Sequence, residues 1–343
     1  EDEPSWKLDA LGEKYTGLNK IEYDGSLDRL FEEDIEKMTR DLAQSGADVG
    51  RDEARFLVSQ YYNMQNQRIR FNNQKIQLHK EEEPNELITH FRKNFDVLEK
   101  QVQSTLRYYS RGDPVGRWLL SICGIGDVIS AGLLSHIDIE KVNYAGQIWS
   151  FAGLSPNQKE WTKGTKRPFN AELKKLCYKI GESFVKVQNN DKDVYGTMFV
   201  NRKADEWEKN LNGEYSEIAT QKLANINIGK GTNAYKWYSG QVDMNWIKEL
   251  RENNESFPES IPKKALITNG IPMLPPAHIH ARARRYAVKI FLSHLFEVMF
   301  MNYHHARPPK PYIIQHGGHS RYMPPPNLDE WLEAEHIHLP GNY

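Results

Sequence analysis

The chain has 343 residues, of which 27% are charged and 39% hydrophobic, with a formal net charge of −1. This is room for two or three domains, or for one core with attached arms, in a globular protein with a generous polar surface. No run could span a bilayer, because Lys289, His294 and Glu297 interrupt the most apolar one, Tyr286 to Tyr303, and no signal-peptide pattern opens the chain.

Two cysteines, Cys123 and Cys177, cannot build a disulfide framework, which points to a reducing intracellular compartment such as cytoplasm or nucleoid. The near-zero net charge conceals an asymmetry. The first 53 residues hold 16 acidic and 7 basic side chains, and the remainder 38 basic and 30 acidic. An acidic arm (1–53) on a mildly basic body suggests a polyanionic partner, with the arm as internal competitor. Within the arm one helix is expected from Ser26, its N-cap, through Leu30, Ile35, Met38 and Leu42.

From Asp52 the pattern turns strongly helical. Leu57, Tyr61, Met64, Phe71 and Leu78 form one stripe, and Tyr62, Ile69 and Ile76 recur every seven residues beside it. After Glu81-Glu82-Glu83-Pro84, a second helix carries Leu87, Phe91, Phe95, Leu98, Val102, Leu106 and Tyr109 at spacings of four and three. Residues 54–110 therefore read as an antiparallel helical hairpin or coiled coil, with more apolar surface than a lone hairpin can cover, so self-association is expected. The first helix is rich in amides, among them Asn63, Gln65 and Asn66, which read as a solvated face.

Arg111-Gly112-Asp113-Pro114 ends the hairpin. The stretch that organises the rest follows: Leu119, Leu120 and Ile122, then Gly124-Ile125-Gly126, then Val128, Ile129, Ala131, Leu133 and Leu134. Two short amphipathic segments joined by Gly-apolar-Gly are written like a helix-hairpin-helix. In that reading the glycines allow a tight turn and close approach, Asp127 caps the second helix, and its unpaired N–H groups meet one phosphate of a nucleic-acid backbone. An ordinary helix–helix turn with a glycine C-cap is the other reading. A dinucleotide loop fits poorly, since no β-rich run precedes it and the third glycine of the fingerprint is missing.

Beyond the turn, Ile148 to Pro156 reads as a short buried helix stopped by glycine and proline, and Lys159 to Arg167 as a basic, glycine-containing loop. Pro168 and Asn170 open a helix with Leu173, Leu176, Ile180, Phe184 and Val187 on one side and Lys174, Lys175 and Lys179 on the other. Tyr235-Lys236-Trp237-Tyr238 is a basic-aromatic patch suited to packing or to base contact, and Phe257 to Pro276 an extended connector. The helix from His278 is basic at its start (Arg282, Arg284, Arg285, Lys289) and apolar afterwards, and cations at a helix N-terminus suggest a partner. The remainder, 307–343, reads as a Pro- and His-rich extended tail. Histidines come in pairs (278/280, 304/305, 316/319, 336/338), but no Cys or defined carboxylate completes a zinc site, and no metal is expected there.

This order of motifs resembles the C-terminal half of the insertion-sequence transposases of the IS-one-ten type, the bridge-RNA-guided family. The resemblance rests on the glycine turn with Leu119, Ile122 and Ala131, on Tyr144, on Gly153-Leu154-Ser155-Pro156, on the basic loop, and on the Lys-rich helix after it. The helices of 54–110 resemble that family's coiled coil, and Ala277 to Asn302 its closing helix, with an insertion within about 205–275 of a 111–306 domain. Two departures stand out. No β-rich segment carrying the family's four acidic ligands is visible, and where the family has a serine before glycine this chain has Lys163-Gly164, with Thr162 one position earlier. Thr162 is the one candidate nucleophile, and it would need a base or metal to activate it.

The expected fold is mainly α: a long helical hairpin and a helix-hairpin-helix-containing helical domain with Pro-rich irregular connections. The expected function is backbone binding of DNA, favoured over RNA, through Gly124, Ile125, Gly126, Lys163, Gly164, Lys166, Arg167, Lys174, Lys175, Arg282, Arg284 and Arg285. The protein would act in transposition or recombination, or as a catalytically incomplete, domesticated relative. The alternatives are an active recombinase whose acidic catalytic domain lies elsewhere, with magnesium only if that domain or a partner nuclease supplies a site, and a structural subunit of an RNA–protein assembly. No membrane partner and no cofactor are expected.

Overall fold

The computed structural model describes residues 35–83, 85–156, 161–242, 270–309 and 322–340. Among them are twelve α-helices and no strand, so the fold is mainly α. In chain order these are α1 (Arg40–Gln44), α2 (Arg51–Lys80), α3 (Glu86–Gly112), α4 (Pro114–Ser121), α5 (Asp127–His136), α6 (Ala145–Phe151), α7 (Ala171–Val187), α8 (Tyr195–Leu211), α9 (Ser216–Asn225), α10 (Asn233–Tyr238), α11 (Pro276–His304) and α12 (Leu328–Ala334).

The start of the long helix expected from Ser26 lies outside the described residues, as does most of the connector expected over 257–276. What is seen of that first helix is shorter: Ile35 and Met38 precede α1, which Thr39 caps by accepting from the Leu42 N–H at 3.2 Å. Residues 36–48 lie along α3. Glu36 O accepts from Gln101, and buried Ala43 and Gly46 face the hairpin, so this part of the acidic segment is docked.

α2 and α3 pair antiparallel along their length, and their base shares a core with α5, where Val58 and Leu106 meet Val128 and Ala131. Farther out the pair is held by polar and ring contacts. Arg68 donates to Glu99 at 2.6 Å, and Phe71 stacks on Phe91 and Phe95.

The main core is built around α11, apolar on most of its circumference and therefore central. Its Phe291 lies parallel to Trp118 of α4 and edge-on to Phe184 of α7 and Tyr195 of α8. α4 starts where Asp113 accepts from the Gly116 N–H and Pro114 occupies the first turn, where its missing N–H costs nothing. The segment expected as an insertion makes a small core of its own. Trp207 meets Trp237 at 5.7 Å, and the Asn210 side-chain amide pairs with both backbone groups of Leu274 at 2.9 Å. Trp237 is thus core, not a stacking platform; hydrophobic burial claims the aromatic patch.

The tail departs from the extended reading. Residues 322–340 contain α12 and clamp α4: Trp118 Nε1 donates to Pro326 O, Trp331 Nε1 to Pro114 O (both 2.8 Å), and Arg117 pairs with Glu335. Leu328 and Trp331 are buried, and their apolar area is what draws the segment onto the core.

Candidate nucleic-acid interface

α4 and α5 are joined by Ile122 to Gly126. Ile122 and Ile125 point into the core, and the Ile125 N–H is consumed by Ile122 O at 3.0 Å. Ile125 therefore offers a ligand neither side chain nor N–H, and its place in the expected contact set is corrected to that of an anchor. Gly124 adopts φ +92°, a region L-residues rarely occupy, and a Cβ there would press on Val187 and Ser183. Its carbonyl accepts from Ser183 Oγ at 2.5 Å, tying the turn to α7. Gly126 is different: φ is −104°, it is exposed, and nothing lies within 4 Å of where its Cβ would be.

Gly126, not Asp127, is the N-cap of α5, and no side chain caps that helix. Asp127 sits one position inside and its carboxylate accepts from Arg107 Nε of α3 at 3.2 Å. The first-turn N–H groups of α5 are left without intrahelical acceptors. Arg107, half-exposed at the mouth of the turn, is a residue the sequence did not single out. Nothing in the linear pattern links a hairpin-helix arginine to a turn twenty residues later.

Lys159 and Glu160, at the start of the expected basic loop, lie outside the described residues. From Trp161 to Pro168 the loop is exposed. Trp161 Nε1 donates to Thr165 O at 2.8 Å, and Arg167 lies over the Trp161 ring, 5.1 Å from its centroid. Gly164 turns the chain at φ +94° with open space around it. Lys163, Lys166 and Arg167 stand on the surface with no ion pair among the described residues. Thr162 Oγ1 is 3.4 Å from Thr165 Oγ1, whose hydroxyl donates to Thr162 O. Its hydrogen bonds are thus made within the loop, and among the described residues no carboxylate or imidazole is a partner.

Asn170 caps α7 by accepting from the Leu173 N–H at 2.9 Å. Along this helix Lys174 lies over the Phe169 ring, Lys175 pairs with Glu172, and Lys179 Nζ sits 4.0 Å from the centroid of Tyr62 on α2. Lys174 also meets Arg284 and Arg285 around a cavity of about 160 Å³, so residues far apart in sequence are gathered there.

The three α11 arginines do not act alike. Arg282 is part of the protein's own structure: its Nε donates to Glu206 at 2.5 Å and its guanidinium lies over Tyr215. Arg284 pairs with Glu182 and covers Tyr178. Arg285 is exposed and lines the cavity it shares with Lys174 and Arg284. The basic helix start thus answers first to internal acids. Burial works against the Glu206 charge, yet hydrogen bonds from Arg282, Tyr215 and Arg202 hold its carboxyl below the usual range. Arg282 is reassigned accordingly, because a buried carboxylate without its cation is costly.

The histidines separate in the same way. His278 meets Tyr238, and His280 meets the Phe199 ring. His316 and His319 lie outside the described residues. Among the described residues no three His, Cys, Asp or Glu side chains gather as a metal site would require.

Comparison with known proteins bears on the glycine turn, the basic loop and α7 together. Residues 116–195 match the family model for the transposase IS116/IS110/IS902 family. The transposase-like segment runs from the first turn of α4 to Tyr195, under a quarter of the chain, and takes in Gly124–Gly126, Tyr144, Gly153–Pro156 and Thr162–Arg167. The hairpin of α2 and α3 and the helix α11 lie outside it. No curated protein and no solved structure matches the chain. Among the described residues no helix is long and apolar enough to cross a membrane.

Proposed function

We propose that the protein is a transposase-related nucleic-acid-binding protein that grips the sugar–phosphate backbone of DNA, with the Gly124–Gly126 turn acting as a helix-hairpin-helix. One observation carries the reading. Within the transposase-like segment an uncapped helix start stands exposed at Gly126, with open space where any other residue would put a side chain. Such an N-terminus favours an anion through its N–H groups and its dipole. Lys163, Lys166 and Arg167 add sequence-independent phosphate contacts. Among the described residues Thr162 hydrogen-bonds with Thr165 within its own loop, and we assign binding, not strand transfer, to this chain.

Fluorescence anisotropy with a labelled 30-base-pair duplex, titrated with salt, tests this. The wild-type protein binds, and Lys166→Ala with Arg167→Ala weakens binding on every sequence alike, lowering the logarithmic salt slope by roughly 0.9 for each phosphate no longer neutralised. Unchanged affinity and slope in the double variant, or no binding by the wild type, refutes the reading.

A further inference from the structure

Three cavities follow one another between α2, the segment from α5 to α6, and α7, each sharing lining residues with the next. The first, of about 930 Å³, lies between the start of α2 and the segment from α5 to α6, walled by Arg51, Arg55, His136 and Phe151. The Phe151 carbonyl accepts from the Asn170 N–H, at the foot of the loop. Arg55 and His136 also wall the next cavity, about 490 Å³, between α2 and α7. That cavity in turn shares Tyr62, Lys175 and Lys179 with a third of about 520 Å³, which ends at Ile129, Ser183 and Lys186. Ser183 is also the residue whose hydroxyl donates to the Gly124 carbonyl.

The charges of this trench are matched at the α5–α6 end, where Asp52 pairs with Arg55, Asp138 with Arg51 and Lys141, and Glu53 adds a further acid, and are unevenly matched only along α7. The acids on the α7 rim are already engaged, Glu172 by Lys175 and Glu182 by Arg284. Lys179 and Lys186 make no ion pair among the described residues, and burial together with Lys186 lowers the Lys179 pKa, as expected of a cation lacking a counter-charge. Opposite these lysines α2 presents exposed Asn63 and Asn66, amides that can donate and accept but carry no charge. The Tyr178 ring, more than half exposed, stands on the same wall.

From these features we infer that the α2–α7 trench is a binding track for a single strand of nucleic acid, whose sugar–phosphate backbone lies on Lys179 and Lys186 and whose bases face the amides of α2. This rests on the nucleic-acid reading above and adds a second surface to it, outside the glycine turn and largely outside the residues that sequence alone nominated. A positive groove with amides and an exposed ring is the arrangement that holds single strands with little regard to sequence. The chemistry is common to DNA and RNA strands, and the test separates them.

The probes are fluorescein-labelled 20-nucleotide single strands of mixed sequence, one DNA and one RNA, and the DNA duplex of that sequence. They are titrated with the full chain at several salt concentrations. Lys179→Gln with Lys186→Gln should weaken single-strand binding at least tenfold and reduce the salt slope by about 1.4, two phosphates at about 0.7 each. Lys186→Gln alone, at an exposed position, should give about half that slope change and guards against a packing effect through Tyr62. Thermal unfolding of both variants is measured alongside. Weakening on either single strand supports the track and names its ligand. Wild-type binding to single strands that both variants leave unchanged overturns the track, while the Lys166/Arg167 variant still reports on the glycine-turn reading. Weakening confined to the duplex also overturns it, and a wild-type protein that binds none of the probes overturns both.

Discussion

Gly124 and Gly126 stand two positions apart and predict opposite consequences for the same substitution. Gly124→Val forces a β-branched residue into φ +92° against Val187 and Ser183, a strain of about 1–3 kcal/mol before any clash is counted. It should lower thermal stability clearly. Gly126→Val meets nothing and keeps an ordinary φ, so the protein should fold with unchanged melting temperature yet lose duplex affinity, with a salt slope lower by roughly 0.9 for each phosphate kept away. A folded Gly126→Val protein with wild-type affinity and slope would reduce the motif to a turn. A second residue-scale effect lies under the tail. His294 Nε2 faces Met323 O, which can only accept, so Nδ1 must be the acceptor for Tyr195 OH at 2.8 Å. Burial holds this histidine near 4 and pushes Glu297, to which Tyr322 donates, up to about 7. The signs oppose. The depressed His294 contributes stability present above about 6.5 and lost as pH falls towards 4, whereas the raised Glu297 contributes stability present below about 4.5 and lost as pH rises through 7. Each is about 3 kcal/mol in size, so the two largely cancel between those limits. Glu297→Gln removes one side: relative to wild type its unfolding free energy should rise by about that amount from pH 4.5 to 7. A pH-independent difference in chemical denaturation would show that Glu297 titrates normally.

At the scale of elements the hairpin makes the clearest demand. Near its base α2 and α3 cover each other and α5, but towards the tip Leu87 is 76% exposed and Ile76 and Phe91 each 48%. Exposed apolar surface of that density favours association. The expected outcome is a dimer in sedimentation equilibrium, which Leu87→Asp with Ile76→Asp converts to a monomer with its melting temperature little changed; a monomeric wild type at tens of micromolar would remove the hairpin as an assembly surface. The hairpin was legible in the sequence because amphipathic repeats spaced three and four residues apart, and a Pro84 break, are local signals. So were the Asp113-Pro114 start of α4 and the Asn170 cap of α7. What could not be read was pairing at a distance. Arg282 looked like a ligand contact because its acid, Glu206, lies 76 residues away. Trp237 could be read as packing or as base contact because Trp207, the ring it packs on, is 30 residues earlier. The α12 clamp, whose two indole bonds span more than 200 residues, left no periodic trace in a seven-residue helix. The trench escaped for the same reason: its amides and its lysines sit on helices more than 100 residues apart and only α2–α7 packing brings them together.

For the whole molecule the question is whether binding and strand chemistry reside in the same chain. The features proposed to bind polyanions, the glycine turn, the basic loop and the lysines of α7, fall within the transposase-like segment, and Lys175, Lys179 and Lys186 line the cavities along α7. Among the described residues no base or carboxylate hydrogen-bonds with the one hydroxyl that occupies a suggestive place. A nucleophilic threonine needs a base within hydrogen-bond reach or a metal to lower the pKa of its hydroxyl. Thr162 hydrogen-bonds with Thr165 within its own loop, and the cations that follow it, Lys163, Lys166 and Arg167, are suited to hold a phosphate rather than accept a proton. The expectation is therefore that Thr162→Ala leaves duplex affinity and salt slope within a factor of two of wild type. The wild-type chain alone, with magnesium and either a supercoiled plasmid or a labelled duplex, should give no strand cleavage and no covalent protein–DNA adduct on denaturing gels. The same mixture with Lys166→Ala and Arg167→Ala should lose binding, which separates a loop that holds DNA from one that cuts it. A covalent adduct mapped to Thr162 by mass spectrometry, and abolished by Thr162→Ala, would reverse the assignment and place the nucleophile in the loop whose lysines we assign to phosphate.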